Sequence, residues 1–283
     1  MRVEARARVN GAPVDPSAPA ISLFDRGFLY ADGVFEVLRT YGGRPRGLED
    51  HLARMFAAAS SLGISVGAPT ARWVAETAAV LSECPWPESV VRLTLTRGVS
   101  PPGVAPRNVG APTRVVAAYA LPALPALSDA GVSVITLRGA HRSSASEGRK
   151  TLEYLASVMA LREAAQAGVA DAIFLDRDGC VVEAASANVF VLSGSELRTT
   201  PAGVGLAGVT QTLLLEAARA EGLTAVRAPI TGADLWTADE VFLSSSVREV
   251  IPVLRVDDHE VSVAPGEGTR RLHARFRALI EAR

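Results

Sequence analysis

The sequence predicts an α+β protein of two domains, a smaller N-terminal α/β domain over 1–119 and a larger one over 129–283. Three observations predict it. Hairpin and helix patterns succeed one another without a regular βαβ alternation. The 283 residues are too many for one small core and suit one large domain or two smaller ones. The stretch Ala120-Leu121-Pro122-Ala123-Leu124-Pro125-Ala126-Leu127 repeats proline as a semi-rigid linker does, which places the boundary at 120–128.

The elements follow in order. Val3 to Val9 and Ala12 to Val14 flank Asn10-Gly11, a two-residue hairpin turn. Val34 to Tyr41 alternates as a strand. Leu52, Met55, Phe56, Ala59 and Leu62 recur at helical spacing over Leu48 to Leu62, and Gly63 closes that helix. A second helix over Ala68 to Cys84 precedes the strand Ser89 to Arg97. Gly98 to Pro112, rich in Pro and Gly, is a long loop of the kind that carries function, and Val115 to Tyr119 is a strand after it. The second half opens with the strand Val132 to Leu137 and a polar loop through Arg142-Ser143-Ser144. A helix over Leu152 to Ala167 follows, then a hairpin of Ala172 to Asp176 and Cys180 to Glu183 closed at Asp178-Gly179, and the strand Asn188 to Leu192. A glycine-rich run leads into the helix Gln211 to Ala220, Val241 to Leu243 is a buried-type strand, and Gly268 to Glu281 is the last helix.

Composition narrows the function classes. With 48% hydrophobic and 21% charged residues and a net charge of −1, nothing points to nucleic acid or an anionic membrane as partner. No run approaches the roughly 18 apolar residues of a membrane span. Two cysteines without metal-ligand spacing fit a reducing compartment, and four scattered histidines argue against a metal site. The expectation is a cytoplasmic soluble protein.

Of the 29 Lys and Arg, Lys150 is the sole lysine. Arginine fills every position that needs only positive charge, but an amine nucleophile has to be lysine. The residues alone leave two readings open: a lysine for Schiff-base chemistry, or one that survived on a surface helix. Gly203, Gly205 and Gly208 run into a helix, which would gather backbone amides at its positive end as an anion cup; an ordinary glycine loop has the same pattern. Glu183 ends a hairpin strand, as a solvated glutamate or as partner to a cation. An amine, an anion cup and a carboxylate are together the parts that hold pyridoxal 5′-phosphate.

Here the sequence resembles the class IV aminotransferases, the fold-type IV pyridoxal-phosphate enzymes that include branched-chain aminotransferases, D-amino-acid aminotransferases and aminodeoxychorismate lyases. The resemblance rests on six segments in order: Asp25 to Glu36, Leu48 to Met55, Lys150 to Tyr154, Glu183 to Phe190, Leu206 to Thr210, and Phe242 to Val253. It implies a larger domain built on a pseudo-barrel sheet, and a homodimer whose active site lies between the domains and is completed by a neighbouring loop. It implies Lys150 as the Schiff-base lysine and proton shuttle, Glu183 as the acid at the pyridine nitrogen, and Arg54, Val209, Thr210 and Ser246 as the phosphate grip. Tyr154 would lie near the cofactor's phenolic oxygen, with Asn188, Leu206, Gly208 and Ser245 on the same cofactor-binding segments. Tyr30, Phe35 and Arg92 match the substrate pocket of branched-chain enzymes and imply an apolar amino donor with a keto-acid acceptor. Arg107-Asn108-Val109 keeps the arginine but not the histidine of the carboxylate trap in D-amino-acid enzymes, so Arg97 or Arg107 would bind a carboxylate. Glu153-Tyr154 stands where the lyases carry Asn-Arg. A transaminase is thus the first expectation, the lyase that releases pyruvate and forms 4-aminobenzoate the second, and a D-amino-acid or (R)-amine transaminase a further one. A non-catalytic family member is the rival of another class.

Overall fold

The computed structural model describes residues 4–127, 131–139, 148–261 and 264–283. Val3, Ser128, the loop Arg142-Ser143-Ser144 and Glu147 of the lysine segment lie outside the described residues. The chain forms two compact units. The first comprises Met1–Pro122 with Arg149–Glu153, the second Ala123–Gly148 with Tyr154–Arg283. The five residues around Lys150, which the sequence reading assigned to the C-terminal domain, thus pack with the first unit.

The first unit is built on a five-stranded antiparallel sheet. Its strands are β1 (Ala5–Val9), β2 (Ala12–Val14), β3 (Gly33–Arg39), β4 (Ser89–Thr96) and β5 (Thr113–Ala120), in the order β2-β1-β5-β4-β3. Asn10 and Gly11 both have positive φ, as a two-residue turn between right-twisted strands requires. A short helix, α1 (Arg26–Tyr30), ends at Ala31 in the left-handed region. The long helices α2 (Leu48–Ser61) and α3 (Thr70–Ser82) lay Leu52, Met55, Ala59, Trp73 and Val80 against Val34, Leu38, Val91, Leu93 and Val116. Alternation along β3 therefore turns Val34, Glu36 and Leu38 toward the helices and Phe35 and Val37 away. As edge strand, β3 exposes backbone groups that the lysine segment satisfies: Phe35 N–H donates to Lys150 O at 2.9 Å and Leu152 N–H to Gly33 O at 3.0 Å. Gly33 is the neighbour of that contact, since a Cβ on it would meet the Leu152 side chain at 2.7 Å.

This pairing also explains a difference from the sequence reading. The helix expected from Leu152 starts three residues later, as α4 (Leu155–Gln166), because Thr151 and Leu152 are drawn into pairing with β3.

The second unit holds β6 (Val132–Arg138), β7 (Asp171–Leu175), β8 (Val181–Ala184), β9 (Asn188–Ser193), β10 (Glu196–Thr199), α5 (Val209–Ala220), β11 (Thr224–Arg227), α6 (Gly232–Thr237), β12 (Glu240–Ser245), β13 (Glu249–Val256), β14 (His259–Glu260) and α7 (Glu267–Glu281). Its sheet runs β11-β10-β9-β12-β13-β6-β7-β8, with β14 on β13. It curls into a half-barrel, so that Ala184 N–H at the end of β8 reaches Ala187 O at the start of β9 although the two strands lie far apart in that order. Parallel pairs β6/β7 and β10/β11 are joined through α4 and α5. The mixed sheet thus contains two βαβ crossovers within an otherwise hairpin-built α+β fold. Val189, Val191, Leu243, Val253 and Ile173 fill its interior. Helix α7 starts where buried Glu240 accepts from Gly268 and Thr269 N–H at 3.0 and 2.8 Å, a carboxylate placed at the positive helix end.

Candidate active site

In the first unit, Phe35 points to the sheet face that carries no helices. Its ring has the Arg92 guanidinium over it at 3.9 Å and the Lys150 ammonium at 4.7 Å. Three of the expected site residues therefore meet, and the aromatic face holds both cations by cation–π attraction.

On the helix face of the same strand, Glu36 is fully buried. It takes a two-pronged ion pair from Arg54, Nε to Oε1 at 2.7 Å and a terminal nitrogen to Oε2 at 2.6 Å, while His51 Nδ1 lies 2.7 Å from Oε2. Burial alone would raise the Glu36 carboxyl, but Arg54 and His51 outweigh it and bring it down to about 2. For His51, burial and the neighbouring Arg54 and Lys150 charges push the imidazole below its usual value despite the pull of Glu36. Burial thus disfavours the charged imidazole, and the bidentate partner of the carboxylate is Arg54. Arg54 is set in place by a charge-assisted fork, and its residue-type signal was a glutamate on the core-facing parity of a strand, beside Val34 and Leu38.

In the second unit, Glu183 on β8 is buried, and its Oε2 accepts from Leu206 N–H at 3.0 Å. Asn188 Nδ2 donates to Leu206 O at 2.7 Å, so acid and amide hold the same loop residue from both sides. Two of the glycines serve that approach. A Cβ at Gly205 would lie 2.7 Å from Val182 O, and one at Gly208 only 2.1 Å from Asn188 Oδ1. Gly203, in contrast, meets nothing and adopts positive φ. Gly208 caps α5, and Gln211 Oε1 accepts from its N–H at 3.3 Å. Val209 and Thr210 follow as the first helical residues, whose amides have no intrahelical acceptor, with Thr210 buried. Ser244 pairs with Asn188 across β12 and β9, which puts Ser245 at the end of β12 and Ser246 at the start of the turn next to this segment. Tyr154 is half-buried at the start of α4, its carbonyl accepting from Val158 N–H.

Of the expected substrate residues, Arg97 makes structural contacts, while Tyr30 and Arg107 belong with the β4–β5 loop. Arg97 Nε donates to Asp32 Oδ2 at 2.8 Å and its terminal nitrogens to Gly63 O and Leu62 O at 2.7 and 2.9 Å. This arginine closes the C-terminus of α2 rather than standing ready for a substrate carboxylate. Arg107 is exposed in the β4–β5 loop. Tyr30 is part-exposed and its hydroxyl accepts from Gly103 N–H at 2.9 Å in the same loop. That loop is pinned by the buried Arg26, which donates to Asp32 Oδ2 at 2.8 Å, Gly103 O at 3.1 Å and Val104 O at 2.7 Å. Asp25, also buried, ties it in by accepting from Thr96 and Thr113 hydroxyls at 3.0 and 2.6 Å. Sequence reasoning placed these two residues in the Asp25 to Glu36 segment but gave neither an individual role, since the loop partners that explain them lie seventy and more positions away.

Comparison with known proteins decides the family. The model of the family described as amino-transferase class IV matches residues 33–256. The chain belongs to the class IV aminotransferases. Their members are pyridoxal-phosphate-dependent transaminases, and the fold is that of the fold-type IV enzymes. A putative branched-chain-amino-acid aminotransferase of Methanocaldococcus jannaschii is 34% identical over 95% of this chain and 94% of its own length. A D-alanine aminotransferase of Bacillus licheniformis is 32% identical, covering 93% of each. The crystal structure of 4-amino-4-deoxychorismate lyase from Pseudomonas aeruginosa superposes with a TM-score of 0.83 at 33% identity, over 96% of this chain and 98% of that one. For a class IV member, the residues present fit the cofactor: an amine on an aromatic face, a buried carboxylate fixed by a backbone amide, and a glycine-led helix start suited to phosphate.

Proposed function

We propose that this enzyme transfers the amino group of an apolar amino acid to a 2-oxo acid. The observation that carries the reading is the Phe35 ring beneath Lys150, flanked by Arg92. A substrate that reaches the amine has an apolar wall beside it and one guanidinium for a carboxylate.

Pyridoxal phosphate, when bound, supplies an electron sink for the bond that breaks at the substrate Cα. Lys150 Nζ would hold the cofactor covalently, and the same amine is the group that would move the proton at the substrate Cα. Glu183, held through Oε2, supplies the negative charge that keeps the cofactor's ring nitrogen protonated. The amides of Val209 and Thr210, the hydroxyls of Thr210 and Ser246, and Arg54 bind the phosphate, with Asn188, Leu206, Gly208 and Ser245 shaping that grip. Tyr154 would lie near the cofactor's phenolic oxygen. Tyr30 and Arg107 serve the substrate side through the β4–β5 loop, and Arg97 is left to its structural contacts.

We also infer a homodimer working in the cytoplasm. The exposed Leu23, Phe24, Phe28 and Val104, from 51 to 80% accessible, support a subunit contact on the first unit. Both cysteines are unbonded, and among the described residues no helix is long and apolar enough to cross a membrane.

A half-reaction screen tests the function. The visible band of the bound cofactor should bleach with apolar amino acids and return with a 2-oxo acid. D- and L-donors and primary amines in the same screen assign the stereochemistry. Pyruvate released from aminodeoxychorismate without any acceptor would select the lyase instead, and a protein that takes up no cofactor would sink both readings.

A further inference from the structure

The turn between β12 and β13, Ser246-Val247-Arg248, carries a serine assigned above to the phosphate. It is held from two sides by its last residue and the one that follows. Glu249 opens β13 with φ +59, a left-handed conformation for a residue with a side chain, and is buried. Its Oε2 lies 2.6 Å from His273 Nε2 and its Oε1 accepts from Arg277 at 2.7 Å. These two partners are four apart on α7 and share one face. On the other side, Arg248 donates from one terminal nitrogen to Asp171 Oδ2 at 3.0 Å and Ser186 Oγ at 2.9 Å, and Ser186 donates to the same Asp171 oxygen at 3.1 Å. Asp171 is fully buried. Ser186 sits in the β8–β9 turn, three residues after Glu183 and two before Asn188. Arg248 N–H also donates to Ser245 Oγ at 3.2 Å, which tightens the serine turn on itself.

A non-glycine residue in the left-handed region is unfavourable and persists where its surroundings over-determine it. Glu249 meets that condition, because its carboxylate is fastened to α7 while the preceding residue is fastened to β7 and the β8–β9 turn.

We infer that Arg248 and Glu249 are positioning residues that fix the Ser245–Ser246 turn in register with the Glu183–Asn188 segment, and so set the affinity for the cofactor's phosphate. The inference rests on the assignment of Ser246 to the phosphate. Both side chains are committed to these protein partners, so each would act through the turn.

The test compares binding of pyridoxal phosphate and of pyridoxal, which lacks the phosphate, to the full-length apoprotein by absorbance titration. Ser246→Ala, Glu249→Gln, Arg248→Met and the milder His273→Gln are each measured, with Arg248→Lys as conservative rescue. Glu249→Gln and Arg248→Met should weaken pyridoxal phosphate tenfold or more and pyridoxal less than twofold, with His273→Gln smaller in the same direction and Arg248→Lys partly restored. Equal losses for the two ligands would mean a merely structural role and overturn the inference. So would unchanged binding in these variants while Ser246→Ala loses phosphate selectivity. If Ser246→Ala itself binds like the parent, the phosphate assignment falls and the inference with it.

Discussion

Replacing Glu36 by glutamine removes one charge and almost no volume, so the cost measures the buried cluster itself. A carboxyl held at about 2 against an ordinary 4.5 corresponds to about 3 kcal/mol of native-state stability at neutral pH. Breaking a buried pair by deleting one partner costs about 3–5 kcal/mol, because the other charge stays behind, and Arg54 is only 16% accessible. The two routes agree on about 3 kcal/mol. The sign follows from a depressed acid. Its stabilisation is complete above pH 4.5 and is lost as pH falls from there toward 2, where the folded carboxyl also takes up its proton. His51, whose value burial lowers, adds acid sensitivity below pH 6.5. Urea unfolding of the apoprotein, followed by tryptophan emission because Trp73 is fully buried in the same core, should show a gap of about 3 kcal/mol at pH 7 that closes below pH 3. A gap under 1 kcal/mol at pH 7, or one that is unchanged at pH 3, would refute the account of this cluster.

Three further outcomes are expected. Lys150→Arg keeps the charge over Phe35 but not the amine, so folding stability should stay within about 1 kcal/mol while turnover and the visible cofactor band disappear; full turnover would refute the role of Lys150. Gly208→Ala drives a Cβ to 2.1 Å from Asn188 Oδ1, and calorimetry should show a loss of about 1–3 kcal/mol from overpacking, partly relieved in a Gly208→Ala, Asn188→Ala double variant. Arg26→Met leaves Asp32 and the carbonyls of Gly103 and Val104 without this donor, so limited proteolysis should cut the Gly98–Pro112 loop well before it cuts the parent.

The sequence was most informative where local pattern and structure share a cause. The 3.6-residue stripes of α2, α3 and α7 and the Asn-Gly turn of the first hairpin are local physics, and they stand within two or three residues of where the pattern puts them. The four-residue strands β10 and β11 were not visible, because runs that short, such as Glu196–Thr199, carry no decisive period. The start of α4 was misplaced because a long-range pairing with β3 competes for Thr151 and Leu152. At the site, Lys150 stood out by composition and Glu183 by its place on a hairpin. The use of Arg97 as a helix-end clamp could not be read, since a guanidinium looks the same in sequence whatever it binds. Two of three glycines taken as an anion cup prove to be places where backbone must pass close to β8 and β9. The burial of Glu36 and Asp25 was not legible, because each is neutralised or satisfied by partners distant in sequence.

The return of Arg149–Glu153 to the first unit has a consequence for how the molecule is made. Chain emerging from the ribosome completes β1 to β5 by residue 120, yet the open edge of β3 waits for a strand partner that lies some thirty residues further on. Until then a hydrogen-bonding edge is available to another chain. A fragment ending at Pro122 would keep that edge permanently and should self-associate. The segment that carries the proposed Schiff-base lysine is thus also the one whose arrival seals the N-terminal sheet, so the amine is set over Phe35 only once the chain has passed its midpoint.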